Sequence, residues 1–298
     1  MADPEAGVPF RKGHGTENDF VLLPDPDGRL ELTDARVRAL CDRRRGLGAD
    51  GVLRVVRTAA LGEPVSPEVE RTDWFMDYRN ADGSLAEMCG NGIRVFARYL
   101  AEAGLVGRSE LATGVPVGTR GGVRRVWSDP SDPSDPSDGS GAVGVDMGEV
   151  RVGGSSGAEL GGRRFDGLVV DVGNPHLACV TGLPLDGLDL SRAPAYDPVV
   201  FPRGVNVELV SPPLDGAARM RVYERGVGET RSCGTGTVAA TVAALRHAGR
   251  DEGTLAVDVP GGRVRVELAA GRATLTGPAV LMAAGELDHA WWRSIAEG

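Results

Sequence analysis

The sequence predicts an α/β (α+β) protein that is built from two similar halves. Two segments resemble each other, NADGSLAEMCGNGIRVFARYL at 80–100 and ERGVGETRSCGTGTVAATVAAL at 224–245. Each places Cys-Gly-Xaa-Gly before an apolar pattern of helical spacing, and strand-like runs precede both. The two cysteines, Cys89 and Cys233, lie close to half the chain apart, and the 298 residues suffice for two domains of about 150 residues each.

The first half alternates strands and helices. Residues 8–23 predict two strands around the polar turn HGTEND, and further strands follow in GADGVLRVV and at 72–80. Thr33 is a helix cap, and we expect that helix to run to about Arg45. The first cysteine helix should end at Gly104. Its apolar positions have the spacing of a buried stripe: Ile93, Phe96, Ala97 and Leu100.

The second half repeats this plan. Its cysteine helix should stop at Gly249 and bury one face that carries Val238, Val242 and Leu245. Its predicted strands lie in AVGVDMGEV, near 163–172, near 176–181 and at 206–210.

A low-complexity insert at 128–141, SDPSDPSDPSDGSG, separates the two halves, and we assign it no function. We therefore expect an N-terminal half of 1–128 plus about 280–298, carrying Cys89. The C-terminal half is 129–279 and carries Cys233.

Composition excludes several classes of function. The net charge is −9 and the basic residues form no stripe, which argues against a nucleic-acid partner. No apolar run reaches the ~18 residues of a membrane span, and no secretory signal is visible, so we expect a cytoplasmic protein. Lys12 is the only lysine and no phosphate-binding glycine loop adjoins it, which disfavours pyridoxal phosphate. In a chain of this length without a visible export signal, the four cysteines are expected to be free thiols, and their spacing argues against a metal site.

The chemistry of the two cysteine motifs follows from their position at helix starts. Unpaired N–H groups and the helix dipole favour a thiolate, so both thiol pKa values should fall below the usual value of about 8.5. Two such helix ends could hold a carboxylate and offer one sulfur to each face of the adjacent carbon. One sulfur must then be thiolate and the other thiol, because two adjacent thiolates repel each other. Cys41 and Cys179 lie on apolar faces and are predicted to be buried structural thiols.

Other polar residues cluster near predicted turns. Asn80 and Glu224 each lie nine positions before a motif cysteine. The whole set comprises Asn18, Asn80, Asn174, His176, Asn206, Glu224 and Arg225. A single polar residue of this kind near a turn is more often structural than functional.

Together these segments resemble the diaminopimelate epimerase family. The two cysteine motifs match, and further segments match in the expected order. These are GHGTENDF, GLGADGV, DVGNPH, FPRGVNVE and the final LTGPAVLMAAGEL. The resemblance implies two pseudo-symmetric domains, each with strands wrapped around a central helix, and an active site in the cleft between them. It also implies a homodimer. The implied reaction is cofactor-independent interconversion of LL- and meso-diaminopimelate, on the path to lysine and peptidoglycan.

The resemblance also implies roles for single residues. Cys89 and Cys233 would be the acid/base pair, and His176 and Glu224 would tune their pKa values. Gly90, Asn91, Gly234 and Thr235 would contact the substrate carboxylate at the helix ends. The amino and carboxylate groups of the substrate would be held by Asn18, Asn80, Asn174, Asn206, Glu224 and Arg225. The chain departs from the family's opening at Gly13, Thr16 and Glu17.

Two alternatives stay open at the level of sequence. A proline or hydroxyproline racemase would share the fold, although such enzymes resemble this chain less because they carry His where Asn91 stands. A binding protein without turnover would keep the two halves but has no need of both cysteines.

Overall fold

A computed structural model describes residues 7–129 and 142–295 of the chain. The chain divides into two compact units. Unit 1 comprises the described residues of Met1–Gly15, Asp19–Ser128 and Ala279–Gly298, and unit 2 those of Thr16–Asn18 and Asp129–Pro278. Of the insert predicted at 128–141, only Ser128 and Asp129 are described. They end a strand rather than begin a loop, and the remainder lies outside the described residues.

Unit 1 contains seven strands and four helices. The strands are β1 (Val8–Gly15), β2 (Asn18–Pro24), β3 (Gly51–Arg57), β4 (Trp74–Asn80), β5 (Val115–Thr119), β6 (Gly122–Asp129) and, from the end of the chain, β18 (Val280–Leu287). The helices are α1 (Asp34–Cys41), α2 (Gly90–Glu102), α3 (Arg108–Thr113) and α5 (His289–Ser294). A 3₁₀ turn spans Thr58–Ala60.

Unit 2 is a larger sheet around one helix. Its strands are β7 (Ala142–Glu149), β8 (Arg151–Leu160), β9 (Arg163–Asp171), β10 (Pro175–Val180), β11 (Ala195–Tyr196), β12 (Asn206–Val210), β13 (Ala217–Glu224), β14 (Gly228–Thr230), β15 (Gly253–Val259), β16 (Gly262–Ala269) and β17 (Arg272–Gly277). The helix is α4 (Gly234–His247), and a 3₁₀ turn spans Leu185–Gly187.

The two sheets share one order of strand pairing. In unit 1, β18, β1, β2, β3, β4, β5 and β6 follow one another, with parallel pairs at β2/β3 and β4/β5. In unit 2, β8, β9, β10, β12, β13, β15 and β16 do the same, with parallel pairs at β10/β12 and β13/β15. The helices α2 and α4 connect the equivalent pairs β4/β5 and β13/β15, as a crossover between parallel strands requires. The predicted duplication and the α/β (α+β) class are therefore confirmed.

Each long helix packs against the strands of its own unit. Helix α2 contacts β1, β3, β4 and β18, and α4 contacts β9, β10, β12, β13 and β15–β17. The predicted apolar stripe of α2 is fully buried, and Val238, Val242 and Leu245 of α4 are at most 2% exposed. The helices end as predicted, because Gly104 and Gly249 follow them in the left-handed conformation that glycine adopts without strain.

Two boundaries differ from prediction. Helix α1 ends at Cys41 rather than near Arg45, because Asp42 leaves the helical conformation and its carboxylate accepts the N–H groups of Arg44 and Arg45. The turn between β1 and β2 is only two residues long. Thr16 and Glu17 both have positive φ, which is the geometry of a tight type I′ hairpin.

No helix within the described ranges is both long enough and apolar enough to span a membrane.

Candidate active site

Cys89 lies at the N-cap of α2, where the chain enters the helix from an extended conformation. Its Sγ accepts the N–H of Gly92 at 3.4 Å, and the residue is only partly buried. Gly90 and Asn91 form the first turn and are buried. The free N–H groups of a helix start and its dipole favour an anion here. The predicted position of this thiol at a helix start is confirmed.

A buried guanidinium belongs to the same site. Arg94 is fully buried in α2, and its Nη1 donates to the carbonyl of Gly90 at 3.3 Å. Burial lowers the pKa of Arg94 to about 10, and the neighbouring Cys89 sulfur opposes that decrease. A positive charge that is held out of water stabilises an anionic sulfur. Nothing in the local sequence marks Arg94 as functional, because arginine is common on exposed helix faces.

Asn80 is the last residue of β4, the strand that leads toward α2. Its Nδ2 donates to Ser84 Oγ at 3.0 Å, and its backbone closes the turn that follows the strand. In unit 2 Glu224 is likewise the last residue of β13 and receives a hydrogen bond from the Thr230 hydroxyl. The two polar residues that the sequence placed nine positions before each cysteine therefore end equivalent strands.

Cys233 is the N-cap of α4 and is only 6% exposed. Its Sγ lies 3.6 Å from the Thr235 hydroxyl, and Gly234 begins the helix. Burial first, and then the carboxyls of Glu224 and Glu208, raise the pKa of this thiol well above its usual value. The Thr235 hydroxyl and the Gly236 amide oppose this increase without cancelling it. The prediction of a lowered pKa was wrong for Cys233, because desolvation outweighs the helix N-terminus.

A chain of hydrogen bonds lies beside α4. His176, on β10, is fully buried, and its Nδ1 lies 2.6 Å from Glu208 Oε1. Its Nε2 lies 2.9 Å from Asn174 Oδ1. Burial raises the pKa of Glu208 to about 6, although His176 lowers it in part. Glu208 is not among the residues predicted from the sequence. The available signal was its position two residues after Asn206, which puts both side chains on one face of β12.

Asn206 links the strand ends of unit 2. It pairs in register with His176 across the parallel strands β10 and β12. Its Oδ1 accepts the N–H of Arg225 at 2.9 Å, and its Nδ2 donates to the carbonyl of Pro175 at 3.4 Å. The Arg225 side chain is exposed and donates to the carbonyl of Arg203 at 2.9 Å. Four predicted residues therefore lie together in unit 2. His176 contacts Asn174 and pairs in register with Asn206, and Asn206 accepts a hydrogen bond from Arg225.

Asn18 follows the hairpin tip that groups with unit 2. The Thr16 hydroxyl lies 2.6 Å from Ser232 Oγ, and both residues are buried. Glu17 forms an ion pair with Arg231, whose Nη2 also donates to the carbonyl of Pro260 at 2.7 Å. Thr16 and Glu17, two of the three residues that depart from the family's opening, therefore fasten the hairpin to the segment just before Cys233.

The remaining thiols are structural in their surroundings. Cys41 and Cys179 are buried in separate apolar clusters, and burial raises the pKa of each to about 12. None of the four cysteines, all of which are described, forms a disulfide. Within 7–129 and 142–295, no three His, Cys, Asp or Glu side chains are arranged to hold a metal ion. Lys12 forms an ion pair with Asp19.

Comparisons with known proteins agree with these motifs. The family model described as diaminopimelate epimerase matches residues 10–152 and 168–282. A diaminopimelate epimerase from Rhodococcus jostii is 57% identical over 296 residues and covers 96% of this chain and 99% of its own. One from Mycolicibacterium smegmatis is 55% identical over 294 residues, again with 96% and 99% covered.

A solved structure extends the comparison to the fold. A hydroxyproline epimerase from Agrobacterium vitis, with bound trans-4-hydroxy-L-proline, has a TM-score of 0.63 at 17% identity and covers 99% of each chain. That likeness concerns the fold alone. The family match, in contrast, runs through both cysteine motifs, and the two relatives above align with nearly the whole sequence. The chain therefore belongs to the diaminopimelate epimerase family.

Proposed function

We propose that this protein is an isomerase that interconverts LL-2,6-diaminopimelate and meso-diaminopimelate, in the synthesis of lysine and peptidoglycan precursors. One observation supports the proposal above all. Cys89 and Cys233 cap the helices at equivalent positions of two sheets with the same strand order. Inversion of a carbon by a two-base mechanism needs two groups, one that removes a proton and one that donates a proton to the opposite face. A pair of thiols can supply both.

The two thiols differ in the way that this mechanism requires. In the free protein we assign the thiolate to Cys89, which accepts a helix N–H and has the buried Arg94 guanidinium nearby. Cys233 is the thiol, because burial and two carboxyls raise its pKa. Cys89 would take the α-proton from one face of the carbon, and Cys233 would donate its proton to the other. The product then leaves Cys89 as thiol and Cys233 as thiolate, ready for the reverse direction.

The electron pair left on the α-carbon would be delocalised into the adjacent carboxylate. The residues proposed to stabilise that carboxylate are those at the two helix starts, Gly90 and Asn91 in α2 and Gly234 and Thr235 in α4. Their backbone N–H groups are positioned before the reaction begins and need not reorganise as charge develops.

The rest of the substrate needs polar recognition. Diaminopimelate has an amino acid head at each end, so it carries two carboxylates and two ammonium groups. A set of amides, one carboxylate and one guanidinium matches these charges better than an apolar pocket. We assign this role to Asn18, Asn80, Asn174, Asn206, Glu224 and Arg225, with His176 and Glu224 also tuning the thiol pKa values.

Further proposals belong to this assignment. The reaction uses no cofactor and no metal, because the two thiols supply both proton transfers. The protein acts in the cytoplasm as a homodimer, with diaminopimelate as its small-molecule substrate and without nucleic acid. The two units correspond to the halves that carry Cys89 and Cys233. Both thiols serve one α-carbon.

The decisive experiment is incubation of the reduced protein with LL-diaminopimelate in heavy water. Proton loss at the α-carbon is followed by NMR, and product configuration by chiral chromatography. We expect meso product with deuterium at the inverted carbon. Cys89→Ser and Cys233→Ser should abolish conversion, whereas Cys41→Ser, at a buried thiol away from both motifs, serves as the matched control and should retain it. Folded, reduced protein that exchanges no proton would refute the assignment, and turnover of trans-4-hydroxy-L-proline instead would favour a racemase of the proline type.

A further inference from the structure

Glu208 is a buried acid that the mechanism above does not use. Its side chain is fully buried, and Oε2 has no hydrogen-bond partner among the described residues. Its Oε1 contacts His176 Nδ1 at 2.6 Å. A buried carboxyl oxygen without a hydrogen bond costs free energy, so its presence calls for an explanation. Cys233 is one of those neighbours, since its Sγ and Glu208 Oε1 both lie within 3.3 Å of the position that a Gly236 β-carbon would occupy.

The hydrogen bonds define where the protons of His176 sit. Asn174 Oδ1 can only accept, so His176 Nε2, at 2.9 Å, carries a proton and donates it. The contact between Nδ1 and Glu208 Oε1 then holds one further proton, on either atom. In both arrangements the two side chains together carry no net charge.

This arrangement also orients Asn174. With its oxygen engaged by His176, the amide keeps both N–H donors for another acceptor. No protein group in the described part of the chain accepts them. Such donors suit a carboxylate.

We propose that Glu208 is a positioning residue that acts through His176. It fixes the side-chain amide of Asn174 with both donors available to a substrate carboxylate, and it keeps the Glu208–His176 pair neutral beside Cys233. This inference rests on the proposed function, because that function supplies the substrate carboxylate.

The neutral charge of the Glu208–His176 pair affects Cys233, because other titratable groups surround the pair. The titratable groups that face Glu208 are His176 and Cys179 on β10, Glu224 on β13 and Cys233 on α4. A further negative charge among them would make a thiolate at Cys233 harder to form. The proton that the pair shares compensates the Glu208 charge, so Glu208 raises the pKa of Cys233 by less than an uncompensated carboxylate would.

The first test reads His176 directly and does not depend on activity. The chain has four histidines, so ¹⁵N-histidine labelling gives four ring systems, and His176→Gln identifies one of them. We expect a protonated Nε2 in the native protein and in Glu208→Gln, whose amide can donate to Nδ1. Glu208→Leu leaves Nδ1 without a partner and should mix the two tautomers. Glu267→Leu, at an exposed position of β16 in the same unit, is the matched control and should leave His176 unchanged.

The second test is kinetic. Loss of a buried partner should raise KM for LL-diaminopimelate by about tenfold in Glu208→Leu, and Glu208→Gln should restore it to within about threefold. Glu208→Gln removes the proton that the two side chains share. The acid limb of the pH profile of kcat should therefore shift in this variant relative to the native protein. A Glu208→Leu variant with native KM and a native His176 tautomer overturns the proposal. If Glu208→Leu does not fold, Glu208→Gln decides instead. A His176 Nδ1 signal and a pH profile of kcat that both match the native protein would then overturn the proposal. A native protein that does not epimerise refutes the proposed function, and the tautomer test still decides whether Glu208 governs His176.

Discussion

The four thiols differ mainly in how far water reaches them. Cys89 is partly exposed, whereas Cys41, Cys179 and Cys233 are buried. Alkylation needs both a thiolate and access for the reagent. Cys89 alone of the four is accessible, and the thiolate is proposed to lie there, so its reactivity tests that assignment.

We therefore expect iodoacetamide to modify Cys89 first in reduced, native protein at neutral pH. The Sγ of Cys89 accepts a helix N–H, while Cys233 is held as a thiol by burial and by Glu224 and Glu208. Peptide mass spectrometry over time measures the order of modification. Cys89→Ser supplies the control, in which early labelling should disappear. Equal rates at Cys89 and Cys233 would contradict the assignment of the thiolate.

The buried thiols also make stability depend on pH. Their folded pKa values are raised, to about 12 for Cys41 and Cys179. The native state then holds protons that the unfolded chain releases above its usual thiol pKa of about 9. The stabilising effect is complete below that pH and is lost as pH rises from about 9 toward 12.

Urea unfolding of the reduced protein should show this loss. We expect the free energy of unfolding to fall above pH 9 by up to about 1.4 kcal/mol per pH unit for each buried thiol. Cys179→Ala should be less stable at pH 8 because it leaves a cavity, yet its decline with pH should be shallower. A variant whose decline matches that of the native protein would show that Cys179 does not contribute.

At the scale of elements, the two cysteine helices share a start but differ in what packs on it. The third residue of each helix is glycine, Gly92 in α2 and Gly236 in α4. A β-carbon on Gly92 would lie 3.3 Å from Leu53 and 3.4 Å, an ordinary contact distance, from Cys89 Cβ and from Phe20. A β-carbon on Gly236 would lie 2.9 Å from Glu208 Oε1 and 3.3 Å from Cys233 Sγ.

Alanine should therefore have unequal effects at these two positions. Gly236→Ala displaces the Glu208 carboxyl or the sulfur and should lower kcat/KM by about tenfold or more. Gly92→Ala is the matched control, where flexible side-chain ends can adjust and the loss should be smaller. Steady-state kinetics with LL-diaminopimelate give both values, once circular dichroism has shown that each variant is folded. Equal losses would mean that the space around Gly236 is not critical.

Sequence reasoning located both helices because local signals define them. Cys89 and Cys233 cap them, Gly104 and Gly249 end them, and the apolar spacing is regular. Glu208 was not visible in this way, because its burial and its contact with His176 depend on which strands pair. The raised pKa of Cys233 was missed for the same reason, since desolvation is a property of the packed structure.

For the whole molecule, unit 1 is assembled from the two ends of the chain. Strand β1 pairs with β18, and helix α5 follows. Trp292 of that helix is buried in the same apolar cluster as Val8 and Leu287, with the Arg36 guanidinium 4.6 Å from its ring. Strand β18, far from β1 in the sequence, therefore completes the first sheet.

Trp292→Ala should destabilise the protein by about 3–4 kcal/mol, because it leaves a large cavity in that cluster. Trp291→Ala is the matched control, since the neighbouring ring is only partly buried and should cost about 1 kcal/mol or less. Thermal unfolding monitored by circular dichroism compares the two. Similar midpoints would show that α5 contributes little to unit 1.

The domain division illustrates what a sequence alone can give at this scale. The repeat and the Ser-Asp-Pro insert indicated two halves and roughly where one ends. The transfer of Thr16–Asn18 to unit 2 could not be predicted, because it depends on a positive-φ hairpin whose tip binds Ser232 and Arg231.

The pairing of β1 with β18 has a consequence for synthesis on the ribosome. The first strand emerges almost a whole chain length before its partner, so its edge stays open while the entire second unit is translated. An exposed strand edge invites pairing with other chains. That edge can be covered only once β18 has left the exit tunnel, which makes the emergence of this strand the step that protects a nascent chain from aggregation.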